Sequence, residues 1–123
     1  MGKILVIDDE EQIVLMLTMA LSKFGFDVEI ATSGVEGIKK FDEGCFDLVI
    51  TDICMPGLDG NEVVKYVRNS KKYFTPVIGI SGTPWLLEDA YFDAVFTKPF
   101  SIADLVEAVS SLTATALSSM SVG

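Results

Sequence analysis

Short apolar runs alternate with amphipathic stretches along this chain. Five runs rich in Val, Ile, Leu and Phe predict strands at residues 3–7, 26–31, 46–51, 76–80 and 94–97. They read as nearly continuous apolar runs, without regular polar/apolar alternation. Strands of this kind are typical of a parallel sheet that is buried on both faces.

Between these runs, apolar residues recur at helical spacing. The pattern predicts helices that follow residue 11 and stop at Gly25, that run from Ser33 to Gly44, and that span residues 61–69, 84–90 and 101–112. Ser33 with Glu36 three positions later is a capping-box pattern. Strands that alternate with helices predict an α/β fold with helices on both faces of the sheet.

The 123 residues fit one domain. We expect that domain at residues 1–112, followed by a flexible tail at 113–123 that is rich in Thr, Ala, Ser and Gly. Two origins fit such a tail. It can end a single-domain protein, or it can be the linker remnant of a longer protein whose output domain is missing here.

Charge and composition exclude several function classes. The chain has 9 basic and 18 acidic residues, a net charge of −9 and no histidine. This balance argues against direct binding to nucleic acid or to an anionic membrane, and it excludes histidine-based acid–base catalysis. No apolar run approaches the roughly 20 residues of a membrane span. Cys45 and Cys54 form no disulfide framework, and we expect a soluble cytoplasmic domain in which Cys45 is buried.

Polar side chains follow four of the five predicted strands. Asp8 and Asp9 end the first strand, Asp52 the third, Ser81 the fourth and Lys98 the fifth. The carboxyl ends of parallel strands share one edge of the sheet, where ligands bind. The sequence therefore predicts three carboxylates, a hydroxyl and an amine at one rim.

This set of groups favours phosphoryl chemistry with a hard cation. Clustered carboxylates repel one another, and Mg²⁺ relieves the repulsion while keeping places for water and phosphate oxygens. An aspartate can act as the nucleophile and become an acyl phosphate. Lys98 can then neutralise the phosphoryl group, and Ser81 can hydrogen-bond one of its oxygens.

Four segments, in order, carry a resemblance to the receiver domain of two-component response regulators. They are Ile-Asp-Asp-Glu at 7–10, Thr-Asp-Ile-Cys-Met-Pro-Gly-Leu-Asp-Gly at 51–60, Ile-Ser-Gly at 80–82 and Thr-Lys-Pro-Phe at 97–100. The resemblance covers about residues 3–112. It implies a chemotaxis-regulator-like, flavodoxin-like doubly wound fold, with a five-stranded parallel sheet in the order 2-1-3-4-5 and five helices.

The resemblance also implies roles for the rim residues. Asp52 would accept a phosphoryl group from the phosphohistidine of a sensor histidine kinase or a phosphotransfer protein. Asp9, Asp52 and the backbone carbonyl of Cys54 would bind Mg²⁺ directly, and Asp8 would act through a bound water. A downstream protein would then respond to the changed surface.

The remaining implied roles concern the last two strands. Lys98 would pair with the phosphoryl oxygens, Ser81 would be the switch hydroxyl, and the Lys98–Pro99 peptide resembles the cis bond of the family. We assign the neighbouring acids Glu10 and Glu11 to helix-dipole stabilisation rather than to the site. Asp59 and Gly60 are expected to shape the loop and start the third helix.

The segment between Ser81 and Lys98 departs from the family pattern. Only sixteen residues separate the two, so the fourth helix is expected to be short, from Pro84 to about Ala90. Val95 stands where the resemblance places a switch aromatic residue, and the adjacent Phe96 is predicted to face the core. These departures suggest an unusual output face.

Other functions compete with a phosphorylated receiver. The departures favour a receiver-like interaction module that is never phosphorylated, whereas the complete set of rim residues argues against it. An aspartate-nucleophile phosphatase of the haloacid-dehalogenase type would carry Asp-x-Asp after its first strand, and a flavin mononucleotide protein a Ser/Thr-rich loop there; this chain has Asp-Asp-Glu-Glu. We therefore expect no enzyme beyond phosphorylation and dephosphorylation of the chain itself.

Overall fold

A computed structural model describes residues 2–82 and 91–122 of the chain, without the side chains of 115–122. The strands are β1 (Lys3–Ile7), β2 (Asp27–Ala31), β3 (Leu48–Asp52), β4 (Val77–Ser81) and β5 (Ala94–Thr97). The helices in these ranges are α1 (Glu11–Lys23), α2 (Gly34–Glu43), α3 (Gly60–Arg68) and α4 (Ile102–Val122).

The five strands form one sheet in the order β2-β1-β3-β4-β5, and every neighbouring pair is parallel. This arrangement confirms the doubly wound flavodoxin-like fold. Five strands are predicted, and the ends of each one fall within two residues of the ends of an observed strand. The short helix predicted at 84–90 lies outside the described residues.

Strand β1 shows why this sequence needs helices on both sides of the sheet. Successive side chains of a strand point to opposite faces. Ile4 and Val6 belong to the core cluster that includes residues of α1 and α4. Leu5 and Ile7 belong to a second cluster that includes residues of α2 and α3. All four side chains are essentially inaccessible to solvent, so the continuous apolar run fits a central strand.

The predicted helix signals at Gly25 and Ser33 are both used. Gly25 has a φ of 87°, which suits glycine, and its N–H donates to the Ser22 carbonyl at 3.0 Å at the end of α1. The Ser33 hydroxyl accepts the Glu36 N–H at 3.1 Å. The capping box is only half formed, because the Glu36 carboxylate accepts from the N–H of Thr32 instead.

The end predicted for the last helix is wrong. Helix α4 continues ten residues past Leu112, to Val122. Thr113 is buried, and its packing favours the helix past Leu112; its hydroxyl donates to the Val109 carbonyl one turn earlier at 2.8 Å. No glycine or proline lies between residues 102 and 122 to stop it. None of the helices in the described ranges has the length and apolar character needed to cross a membrane.

The predicted burial of Cys45 is also wrong. Cys45 is exposed. It lies in the turn between α2 and β3, directly after Gly44, which ends α2. The adjacent Phe46 is the residue of this turn that enters the core.

Arg68, the last residue of α3, joins three segments of the chain. Its guanidinium donates to the carbonyl oxygens of Tyr73 and Thr75, both at 2.7 Å, and to that of Tyr91 at 3.0 Å. It also pairs with the Asp93 carboxylate at 2.6 Å. Arg68 therefore ties α3 to the loop before β4 and to the residues that lead into β5.

We expect Arg68→Lys to lower the free energy of unfolding by about 2 kcal/mol, since hydrogen bonds to charged groups are worth about 1.5–3 kcal/mol each and lysine replaces only part of them. Urea denaturation measures the change. Lys71→Ala is the control, because Lys71 is an exposed cation of the same segment. Equal stabilities of the two variants would contradict the role given to Arg68.

Candidate functional site

Asp8 follows β1 directly and is buried, with 2% of its surface exposed. Its backbone N–H donates to the Ala31 carbonyl at 3.1 Å, which continues the β1–β2 pairing. Its Oδ1 accepts the N–H of Glu10 at 2.8 Å. Its Oδ2 is buried and has no hydrogen-bond partner among the described residues. One oxygen of the carboxylate is thus fixed by the backbone, while the other is held by none of the described residues.

Asp52 is the last residue of β3, and it is also buried, at 3% exposure. The start of α3 packs directly behind it. A Cβ at Gly60 would lie 2.3 Å from the backbone oxygen of Asp52. Asp59 caps α3 in a complete capping box with Glu62. This confirms that Asp59 and Gly60 shape the loop and begin the helix.

Lys98 comes after β5 and reaches the same rim. Its backbone N–H donates to the carbonyl of Ser81, the buried last residue of β4, at 2.9 Å. Its Nζ lies 3.6 Å from Asp52 Oδ1 and 2.6 Å from Glu10 Oε1. The Lys98–Pro99 peptide is cis, as the resemblance implies. Packing of the strands therefore brings Lys98 to the carboxylates of two distant segments.

Three carboxylates lie close together at this rim. Oxygens of Asp8, Glu10 and Asp52 all lie within 4.8 Å of one another. Asp9 is exposed and is not one of these three. Direct metal ligation by Asp9 and by the Cys54 carbonyl stays a prediction; the Cys54 side chain is exposed.

Sequence reasoning missed Glu10 as a site residue. Glu10 is the N-cap of α1, but its side chain makes no cap hydrogen bond. The carboxylate instead binds Lys98, 88 residues away. The available signal was its place in the acidic run directly after a strand that ends at the rim.

The comparisons with known proteins agree with this geometry. The model of the response regulator receiver domain family matches residues 4–110. The chain belongs to the response regulator receiver family. The alkaline phosphatase synthesis transcriptional regulatory protein PhoP of Bacillus subtilis is 39% identical to this receiver domain over 109 residues, which are 80% of this chain and 43% of PhoP.

Other relatives extend the comparison. The transcriptional regulatory protein TrcR of Mycobacterium tuberculosis is 36% identical over 85% of this chain and 42% of its own length. The receiver domain thus spans less than half the length of these two relatives. The structure of the response regulator TrrA from Thermotoga maritima, in complex with Mg²⁺–BeF, matches with a TM-score of 0.83 and 36% identity, over 91% of this chain and 99% of TrrA.

The burial of the receiver's carboxylates perturbs their ionisation. Burial is the main reason that the pKa of Asp8 rises to about 6; the N–H of Glu10 opposes the rise and the charge of Asp52 adds to it. Burial also raises the pKa of Asp52, although the ammonium of Lys98 opposes this. Burial alone would lower the pKa of Lys98, but the neighbouring carboxylates outweigh it and raise that pKa.

These features fit a hard divalent cation. Asp8 has an unpartnered buried oxygen and a disfavoured charge, and two further carboxylates lie within reach of it. Oxygen-only ligand sets of this kind suit Mg²⁺.

Strand β5 shows where the two adjacent residues Val95 and Phe96 lie. Phe96 packs against the core cluster and lies edge-to-face with Phe100, with ring centroids 6.3 Å apart. This confirms that Phe96 faces the core. Val95 is half-buried on β5, at the position where the resemblance places an aromatic residue.

Proposed function

We propose that this receiver domain accepts a phosphoryl group on Asp52 from a phosphohistidine, with Mg²⁺ bound beside it. The donor would be a sensor histidine kinase or a phosphotransfer protein. The observation that carries the proposal is the buried Asp52 carboxylate, which has Lys98 Nζ at 3.6 Å and carboxylate oxygens of Asp8 and Glu10 within 4.8 Å. Asp9 and the Cys54 carbonyl complete the proposed metal ligands.

The proposed transfer is a single displacement at phosphorus. An Oδ of Asp52 attacks, the new O–P bond forms, and the P–N bond to the donor imidazole breaks. The electron pair of that bond stays on the ring nitrogen, which takes up a proton from solvent. Lys98 favours the ionised, nucleophilic form of Asp52 beforehand and meets the phosphoryl oxygens afterwards. A bound Mg²⁺ would neutralise part of the phosphoryl charge.

Ser81 and the output side complete the proposal. The Ser81 hydroxyl would hydrogen-bond a phosphoryl oxygen. This bond would favour a conformation in which the surface of the domain differs from that of the unphosphorylated domain. The phosphorylated surface would be recognised by a downstream protein or by an output domain. The matched region covers only 42% and 43% of the relatives TrcR and PhoP. The cytoplasmic location and the limits of residues 1–112 stay predictions.

Intact-mass analysis after incubation with acetyl phosphate tests the proposal. We expect the wild type to gain one phosphoryl mass only when Mg²⁺ is present, and Asp52→Asn to gain none. Asp104→Asn removes the same charge from an exposed position in the first turn of α4, and we expect it to behave like the wild type. Modification of Asp52→Asn at the wild-type level would place the phosphoryl group elsewhere.

A second candidate is a receiver-like interaction module that is not phosphorylated. The presence of Val95 in place of an aromatic residue favours it, because the usual coupling between the switch hydroxyl and that aromatic ring is missing. If Mg²⁺ binds but the wild type gains no phosphoryl mass, this module becomes the better explanation. In either case we propose no enzymatic activity on other substrates.

A further inference from the structure

Lys98 is held by a residue outside the predicted site. Its Nζ is 2.6 Å from Glu10 Oε1 but 3.6 Å from Asp52 Oδ1. The shorter distance is that of a charge-assisted hydrogen bond, and the longer one is a looser ion pair. Of these two carboxylates, Glu10 is therefore the principal partner of Lys98.

The backbone around Glu10 explains why its carboxylate is available. The Glu10 N–H donates to Asp8 Oδ1 at 2.8 Å, and its carbonyl accepts the Val14 N–H at 3.1 Å. Both backbone groups are thus fixed at the junction of β1 and α1. The side chain makes no cap hydrogen bond in α1, and its carboxylate accepts a hydrogen bond from Lys98 instead.

The phosphoryl oxygens on Asp52 would need the same ammonium group. The Lys98 ammonium has one charge and three N–H donors. One of these donors is already hydrogen-bonded to Glu10 at 2.6 Å. Pairing with a phosphoryl group requires Lys98 to move off Glu10 or to share its charge. Two anions then compete for one cation.

We propose that Glu10 is a positioning residue that competes with the phosphoryl group for Lys98, and so weakens the phosphorylated state relative to the unmodified one. The proposal rests on the proposed function of Asp52. It differs from a metal-ligand role for Glu10, which the proximity of its carboxylate to Asp8 and Asp52 also allows. The two roles predict opposite effects of removing the Glu10 charge.

Isothermal titration calorimetry separates them, with Glu10→Gln as the test and Glu11→Gln as the control. Glu11 is the next residue, is exposed, and lies in the first turn of α1. Each protein is titrated with Mg²⁺ alone, and then with beryllofluoride at saturating Mg²⁺ as a phosphoryl probe. We expect Glu10→Gln to bind beryllofluoride about two- to fivefold more tightly than the wild type, as suits the loss of a part-exposed ion pair. Glu11→Gln should not differ from the wild type.

Salt dependence supplies a readout that a merely structural role would not move. The advantage of Glu10→Gln should shrink as ionic strength rises, because the lost interaction is an ion pair. Unchanged beryllofluoride affinity in Glu10→Gln would overturn the proposal. So would weaker Mg²⁺ binding with no gain for beryllofluoride, which would make Glu10 a metal ligand. If neither the wild type nor Glu11→Gln binds beryllofluoride with Mg²⁺, it is the proposed function of Asp52 that fails.

Discussion

Asp8→Asn is expected to make this receiver domain more stable at pH 7.5 when no divalent cation is present. At that pH the wild type must keep an ionised carboxylate in a site that is 2% exposed, with one oxygen unpartnered. Asparagine keeps the acceptor for the Glu10 N–H and removes the buried charge. We expect a gain of about 2–3 kcal/mol in the free energy of unfolding, which corresponds to the shift from 3.8 to about 6 in the pKa of Asp8.

The sign of the pH dependence follows from the same shift. The folded protein holds the Asp8 proton more tightly than the unfolded chain, whose pKa is 3.8. Between about pH 4 and pH 6 the folded state therefore binds more protons, and the contribution of Asp8 to stability falls as pH rises through this window. Above about pH 6 the cost is complete. The advantage of Asp8→Asn should accordingly shrink as pH falls from 7.5 towards 4.5.

Mg²⁺ should stabilise the wild type more than it stabilises Asp8→Asn. We expect the cation to raise the melting temperature of the wild type, and to do so less at pH 5, because protons compete for the same oxygens. Asp8→Asn should respond to Mg²⁺ much less. The most stable metal-free variant is then the one least able to hold the ion, as is common when a site is built from destabilising groups.

Asp9→Asn is the matched control for Asp8→Asn without metal. It removes the same charge from the next residue, which is exposed. In a chain of net charge −9, any lost acid relieves some repulsion, and this control measures that general effect. Equal stabilisation by the two substitutions in urea denaturation would show that burial of Asp8 contributes nothing particular.

Gly60→Ala is expected to destabilise the domain by about 3 kcal/mol, through overpacking against backbone that cannot give way. The added methyl would lie 2.3 Å from the Asp52 oxygen and 2.8 Å from the Ile53 Cα. Relief requires α3 to move away from the end of β3. Because Asp52 is attached to that backbone, phosphorylation by acetyl phosphate should also slow in the protein that remains folded.

Gly82→Ala provides the comparison on the other side of the site. Gly82 follows Ser81, and a Cβ there would meet nothing within 4 Å among the described residues. We expect its stability to stay within about 0.5 kcal/mol of the wild type. Thermal and urea denaturation of the two alanine variants test the pair. Similar losses of stability in the two variants would show that replacing a glycine is itself destabilising here. The contact between Gly60 and the backbone of Asp52 would then not be the cause.

The strands and most of the site could be predicted because their signals are local. A central parallel strand must be apolar on both faces, and the four consecutive residues from Ile4 to Ile7 are all apolar. Asp8, Asp52 and Lys98 each follow such a run, so the topology alone places them at one edge. The start of the third helix at Asp59 and Gly60 and the stop at Gly25 likewise depend on residues a few positions apart.

The misjudged features depend on packing between distant segments. Glu10 looked like a helix-dipole acid, because nothing near it in sequence indicates that Lys98 lies 2.6 Å away. The last helix looked complete near Leu112, because the segment after it is rich in Thr and Ser, which have weaker helix propensities than Ala or Leu. Burial of Thr113, which the local sequence does not indicate, favours continuation of the helix.

The sequence by itself determined the α/β class, the buried parallel strands and the groups that reach the rim. These features could be predicted because hydrophobic periodicity and strand ends depend on residues that are close together in the sequence. Only the tertiary structure decided how those groups divide their interactions. It leaves Asp8 Oδ2 without a hydrogen-bond partner among the described residues, places Lys98 Nζ closer to Glu10 than to Asp52, and sets Gly60 against the backbone of Asp52. These are distances of a few ångströms between residues far apart in the chain, and they arise only when the sheet and its helices pack together.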